Sequence, residues 1–174
     1  DKFRSSTEEG KQMRKEVRDA MELQNWQFNG IGGEAGHHYQ SSAVVSDGTT
    51  PEFTAENDHL KLHPTTTPGC VIPHAWVQRD DDNISTLDLV GNGAFTIITG
   101  LGGQPWLECV EGLNASLGID IRSVQITMDG DIRDLYCAWA NINEIEDDGC
   151  LIVRPDRYVA YRAKTLVANP HDEL

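Results

Sequence analysis

The chain contains no apolar run approaching the roughly 18 residues that a membrane-spanning helix needs. A helical membrane span is therefore excluded. Positive charge is also scarce: 14 Lys and Arg stand against 28 Asp and Glu, a formal net charge of -14. That balance argues against a nucleic-acid backbone or an anionic membrane surface as partner. The four cysteines, Cys70, Cys109, Cys137 and Cys150, form no CxxC pair and lie in apolar surroundings. Dispersed in this way they read as buried thiols of a reducing cytosol, not as a disulfide framework, and redox chemistry by them is not expected.

A metal site is equally unsupported. Five of the six histidines (His37, His38, His59, His63 and His74) fall in the first part of the chain. His59 and His63 have the i,i+4 spacing of zinc helices, but no Glu follows His59 and no third ligand has a diagnostic spacing. These histidines read as loop and interface residues. The glycines of Gly30-Ile31-Gly32-Gly33-Glu34-Ala35-Gly36 follow a predicted helix and lead into a predicted strand, Ser41 to Val45. A dinucleotide loop joins strand to helix, so this stretch is not read as a phosphate cradle.

At 174 residues the chain fits one ordinary domain, or a small domain with an appendage from its neighbour. Residues 7 to 27 follow Ser6-Thr7-Glu8-Glu9, a capping-box pattern, and carry Met13, Val17, Ala20 and Met21 at helical period. This predicts an amphipathic helix in need of a partner surface. The Pro/Thr-rich passage over residues 51–67 reads as a linker, dividing residues 1–50 from a domain over 68–174. Within that domain Ala94 to Thr99 predicts a strand, Gln104 to Leu117 a helix and Ile119 to Ile126 an alternating strand. Together they make a right-handed βαβ unit. A second helix is predicted over residues 132–142 and a β-hairpin over 150–153 and 158–161, with Arg154-Pro155-Asp156-Arg157 as its turn. Both Arg154 and Arg162 suit a ligand, but pairing in solvent with Asp147, Asp148 or Asp156 is the commoner fate and is expected here.

The last residues, Asn169-Pro170-His171-Asp172-Glu173-Leu174, read as a helix start with Asn as cap. Both ends of the chain look cut. The closing His-Asp-Glu-Leu spells an ER-retention signal; it is taken as coincidental, with a cytoplasmic location expected and the ER as the alternative. The element order βαβ-α-ββ-α is that of an α/β, thioredoxin-like fold, preceded by a helix and a strand from another domain. Where a thioredoxin carries CxxC, this chain has Gly100-Leu101-Gly102-Gly103-Gln104-Pro105-Trp106, with no thiol.

Three passages in order carry a resemblance: Pro68-Gly69 with Pro73-His74-Ala75-Trp76; Ser85-Thr86-Leu87-Asp88-Leu89 with Gly91, Gly93 and Phe95; and Asp147-Asp148-Gly149 through Leu151-Ile152-Val153-Arg154-Pro155-Asp156 to Val159-Ala160-Tyr161-Arg162-Ala163. They resemble the C-terminal domain of FAD-dependent aromatic hydroxylases, the phenol and chlorophenol monooxygenase group. Phe28 to Val45 resembles the end of that family's substrate-binding domain. Where family members often have Gly-His after the turn aspartate, this chain has Arg157-Tyr158.

The resemblance implies a parent enzyme that uses FAD, NAD(P)H and O2 to insert one oxygen atom into a small phenolic substrate. This chain lacks the family's GxGxxG and its second flavin motif, Gly-Asp followed by Ala-Ala-His. By itself it is expected to bind no FAD. Its partners would be the FAD- and substrate-binding domains and a second copy in a homodimer.

Two other functions stay open at this stage. One is a standalone, cofactor-free protein of the same fold that catalyses cyclisation, dehydration or isomerisation; the other is a dimerisation module. The cofactor-free reading would use His38, Tyr39, His74 and Asp88 as acid-base groups. Each has a structural alternative: packing at a strand start for His38 and Tyr39, a backbone hydrogen bond for His74, and a turn cap for Asp88.

Overall fold

The computed structural model describes residues 2–52 and 59–174. The described residues divide into two compact units, one drawn from residues 2–36 and 59–63, the other from residues 37–52 and 64–174.

In the first unit the long helix α1 spans Glu8–Phe28, close to the predicted range. Thr7, not Ser6, is its N-cap, its hydroxyl accepting from the Gly10 amide at 3.3 Å. Gly10 is the one buried residue of the helix; Met21, Trp26 and Phe28 are all exposed. A short helix α2, Ile31–Ala35, follows at the glycine-rich stretch.

The second unit is built on seven strands: β1 Trp76–Arg79, β2 Asp82–Ser85, β3 Phe95–Thr99, β4 Ile121–Thr127, β5 Ile132–Arg133, β6 Cys150–Val153 and β7 Val159–Ala163. Their order across the sheet is β2-β1-β5-β4-β3-β6-β7. β3 and β4 run parallel, joined by helix α3, Gln104–Leu117. This is the predicted βαβ unit. β6 pairs antiparallel with β3 and β7 with β6, giving the predicted hairpin at the sheet edge. A last short helix, α4, spans Pro170–Glu173.

Two adjacent isoleucines of β3 organise the core, because neighbouring strand residues point to opposite faces. Ile97 packs beneath α3 with Trp106, Val110 and Leu113. Ile98 packs on the other face with Val77, Ile126, Trp139, Leu151 and Val159. Trp106 is fully buried, and its indole N–H donates to the Asp148 carbonyl at 2.9 Å. The start of α3 presses against β3: a Cβ on Gly103 would lie 1.6 Å from Thr99 Oγ1. Only glycine fits there.

Two predicted elements differ in the structure. Residues 41–45 form a turn, not a strand: the Ser41 hydroxyl accepts from the Ala43 amide at 3.2 Å and the Ser41 carbonyl from Val44. Such local serine bonds compete with a strand ladder. Only the Val45 amide reaches β7, donating to the Ala160 carbonyl at 2.8 Å. Residues 132–142 are not a helix. Ile132 and Arg133 pair with β4 and β1, Asp134 Oδ2 accepts from the Ala140 amide at 2.8 Å, and Cys137 has φ +55. A left-handed residue in the middle of the segment interrupts the α ladder.

A bulge in the edge hairpin determines where Arg162 lies. Ile152 pairs with Tyr161 and Val153 with Val159, so Ala160 is the extra residue. The bulge reverses the alternation. Val159 packs on one face and Tyr161 and Ala163 on the other, and Arg162 turns inward with its side chain 2% exposed. Expected in solvent, it is instead an internal anchor. Its Nε and Nη2 meet Asp47 Oδ2 at 2.8 and 2.7 Å, Nη1 meets Glu144 Oε2 at 2.5 Å, and Nη2 donates to Thr49 Oγ1 at 2.6 Å. Glu144 Oε2 also accepts from the Thr66 amide at 2.8 Å. Burial works against ionisation of Asp47, but bonds from Thr49 and Arg162 outweigh it and lower its pKa. Glu144 is lowered in the same way, burial being outweighed by bonds from Thr66 and Thr65 and by the Arg162 charge. By contrast Arg154 pairs with Asp156 at the surface, as expected, at 2.6 Å.

Removing Arg162 leaves the Asp47 and Glu144 carboxylates without their cation. Because both residues reach the surface and water can screen them, Arg162→Met should cost about 2 kcal/mol, the scale of lost charge-assisted hydrogen bonds, read as a lower urea midpoint. The lowered carboxylates stabilise the fold fully above the unfolded-chain range, at about pH 4 and up, and lose that effect as pH falls through their folded values. Arg162→Met should flatten the acid limb of the stability profile.

The hairpin turn supplies a second expectation. Arg157 has φ +72, a conformation that disfavours any residue with a Cβ by about 1 kcal/mol. Arg157→Gly should therefore raise the unfolding free energy by about 1 kcal/mol; no gain, or a loss, would mean that the Arg157 stem over Gly91 matters more.

Candidate functional site

The structure gathers the four candidate side chains into two separate local arrangements. His74 and Asp88 meet at Ser85, at the junction between β2 and a 3-10 turn, Thr86–Asp88. Ser85 Oγ accepts from the Leu87 amide at 3.0 Å and Asp88 Oδ2 from the Ser85 amide at 2.9 Å, a complete capping box. The sequence Ser-x-x-Asp builds this turn because the two side chains satisfy each other's free backbone donors. His74 Nδ1 lies 2.7 Å from Ser85 Oγ, and its ring meets Trp76 edge-on with centroids 4.8 Å apart.

Serine, histidine and aspartate close together invite a nucleophilic reading. That chemistry requires the carboxylate to orient the imidazole. Here Asp88 accepts from the Ser85 backbone, and the Ser85 hydroxyl already serves the Leu87 amide. The arrangement stabilises a turn, with His74 as its outer partner.

His38 and Tyr39 lie where the segment entering the second unit meets Pro68–Gly69. His38 Nε2 is 3.1 Å from the Pro68 carbonyl, and the Tyr39 amide donates to the Gly69 carbonyl at 2.8 Å. Gly69 in turn donates to Val159. The Tyr39 ring stands edge-on to Tyr158, centroids 4.8 Å apart, and Tyr39 is 47% exposed. Burial and the neighbouring Tyr39 raise the Tyr158 pKa. Backbone docking thus accounts for both residues' positions.

Cavities of about 550, 400 and 270 Å³ open on the second unit. None of these three has His38, Tyr39, His74 or Asp88 on its wall. The largest lies at the carboxyl ends of β3 and β4, the next beside Trp76 and Tyr136, and the smallest between Phe95, Leu117 and Leu174. Asp134, on the wall of the largest, was not singled out in the sequence. Its buried position follows from the turn that replaces the predicted helix.

The glycines available to cradle a flavin pyrophosphate are already in contact with protein groups. A Cβ at Gly30 or Gly33 would fall 2.6 or 2.8 Å from the His59 ring, whose Nε2 is 2.7 Å from the Trp26 carbonyl. The Gly32 and Gly33 amides donate to the His59 carbonyl. Ahead of α3 the Leu101 and Gly102 amides donate to the two oxygens of Asp147 at 3.1 and 3.0 Å. Neither stretch fits a dinucleotide phosphate. Among the described residues no three His, Cys, Asp or Glu side chains are grouped to hold a metal ion.

The three buried thiols are poorly suited to redox work. Burial pushes Cys70 up to about 11, and it raises Cys109 and Cys150 as well. A thiol held protonated is a weak nucleophile. Only Cys137 is exposed.

Comparison with known proteins places this architecture. The family model for the C-terminal region of aromatic-ring hydroxylases matches residues 65–174. Phenol 2-monooxygenase of Pseudomonas sp. (strain EST1001) is 35% identical over 171 residues, which is 98% of this chain and 28% of that protein. The 2,4-dichlorophenol 6-monooxygenase of Delftia acidovorans is 36% identical over 174 residues, 99% of this chain and 30% of that protein. Among solved structures, the flavin-dependent monooxygenase PieE in complex with FAD and substrate superposes with a TM-score of 0.77 at 36% identity, covering 94% of this chain and 28% of that one. The chain thus spans less than a third of the length of these relatives. On the match over residues 65–174 and on these identities, the chain belongs to the aromatic-ring hydroxylase C-terminal family.

Proposed function

We propose that this chain is the accessory, C-terminal part of an FAD- and NAD(P)H-dependent monooxygenase that hydroxylates a small phenolic ring in the cytoplasm. The observation that carries this reading is the near-complete match of the chain to under a third of two phenol-type monooxygenases. Flavin and oxygen chemistry would belong to the remainder of the parent polypeptide, with the FAD- and substrate-binding domains as partners and a second copy completing a homodimer. The chain itself acts as a redox-inactive, thioredoxin-like unit. That role is supported by the sheet order β4-β3-β6-β7, by the thiol-free turn ahead of α3 and by the raised thiol pKa values.

The cofactor-free, acid-base alternative called for at least two of His38, Tyr39, His74 and Asp88 on one pocket wall; the three cavities give it no support. His38 and Tyr39 act in our reading as positioning residues that fix the entry of residues 37–52 against Gly69.

Mixing the purified chain with FAD and passing it through a desalting column should leave the protein colourless. Retention of one flavin per chain would contradict the proposal. Treatment of the native chain with iodoacetamide should alkylate Cys137 alone, since the other three thiols are buried and held protonated. Rapid modification of Cys70, Cys109 or Cys150 would show a reactive thiol where none is expected.

A further inference from the structure

An asparagine or aspartate followed by glycine can cyclise, because glycine has no side chain to hinder attack by its nitrogen on the preceding side-chain carbonyl. The sequence has five such steps: Asn29-Gly30, Asp47-Gly48, Asn92-Gly93, Asp129-Gly130 and Asp148-Gly149. The structure engages four of them. The Asn29 side-chain amide donates to Asn25 Oδ1, and its backbone N–H to the Asn25 carbonyl at 2.9 Å. Asp47 is held by Arg162 and Thr49, while the Gly48 amide donates to Ser46 Oγ at 3.2 Å. The Gly130 amide donates to Thr127 Oγ1 at 2.7 Å and the Gly149 amide to the Glu146 carbonyl at 2.9 Å. A nitrogen or side chain held in this way closes no ring until its hydrogen bond has been given up.

Asn92-Gly93 is different. Both residues are exposed, and among the described residues neither the Asn92 side chain nor the Gly93 amide has a hydrogen-bond partner. They are the central residues of a tight turn, with φ of +55 and +82, closed by the Ala94 amide donating to the Gly91 carbonyl at 3.2 Å. Positive φ at both centres is the I′ pattern that Asn-Gly favours. A Cβ built on Gly93 would meet nothing within 4 Å, so rotation about this residue brings no clash. The turn leaves the reacting nitrogen and the side-chain amide open to water and to each other.

We propose that Asn92 is a site of spontaneous modification, converted through a succinimide to aspartate and isoaspartate. The deprotonated Gly93 nitrogen bonds to Asn92 Cγ and the Cγ–Nδ2 bond breaks. Nδ2 leaves as ammonia, taking up through water the proton that Gly93 gave up. Water then opens the imide: attack at Cγ gives aspartate, and attack at the main-chain carbonyl gives isoaspartate. No electrons are gained or lost, and water is the one co-reactant. Aspartate keeps the turn, because Asp-Gly also suits the I′ pattern. Isoaspartate lengthens the main chain by a methylene directly ahead of β3, between the residues that close the turn. Either product adds a carboxylate to a chain already at -14, next to Gly91 and the Arg157 stem that packs over it.

The test incubates the full, folded chain in warm, mildly alkaline buffer and follows each step by peptide mapping with mass spectrometry, isoaspartate being read by enzymatic methylation. Asn92 should convert at least tenfold faster than Asn29. In concentrated urea, where the turn and the Asn25 bonds are both lost, the two rates should agree within threefold. Asn25→Ala, an exposed substitution that releases the Asn29 side chain, should speed conversion at Asn29 severalfold in the folded chain and leave Asn92 unchanged. Isoaspartate at Asp47, Asp129 and Asp148 should stay below that at Asn92. An Asn92 that stays intact in the folded chain while converting in urea would overturn the proposal, as would an Asn29 that reacts as fast as Asn92 before unfolding.

Discussion

The second unit depends on one guanidinium. Arg162 lies on the edge strand of the sheet, yet its charge is directed inward to Asp47, Glu144, Thr49 and Thr66, which come from three distant parts of the sequence. Arginine suits this role because its planar fork addresses several acceptors at once and cannot be deprotonated. Taking that charge out of water is costly. The offset comes from two carboxylates held ionised by the same threonines that bond the guanidinium. The result is a segment, residues 46–50, with little regular structure but a fixed place on the unit.

What could be read from the sequence follows from how local each signal is. α1, α3, β3, β4 and the closing hairpin were legible because their periodicity is strong and their ends carry turn residues. The inward course of Arg162 is not legible in the sequence for one reason. A single bulge at Ala160 shifts the side-chain alternation by one, and no local pattern marks it. The same limit applies at residues 132–142, where apolar spacing suggests a helix but Asp134 caps a turn and Ile132 joins two neighbouring strands. Tertiary pairing overrides local propensity there.

The candidate side chains show a similar division. Asp88 and Ser85 were legible as a cap, since Ser-x-x-Asp satisfies its own backbone wherever the chain turns. That His74 would join that cap, and that Tyr39 would face Tyr158, depended on long-range packing. The family motifs, by contrast, fall on structurally demanding positions: Gly69 and Gly91 have φ of +94 and +85, and Gly149 lies where a Cβ would strike the Lys164 carbonyl at 2.6 Å. Those residues carry the resemblance because the backbone tolerates little else.

We propose that the oxygen chemistry lies outside these residues, in a longer flavoprotein. The mass and absorbance of the native gene product test this directly. We expect a polypeptide more than three times the 19.3 kDa of this chain, carrying tightly bound FAD. A native product of 19.3 kDa without flavin would contradict it.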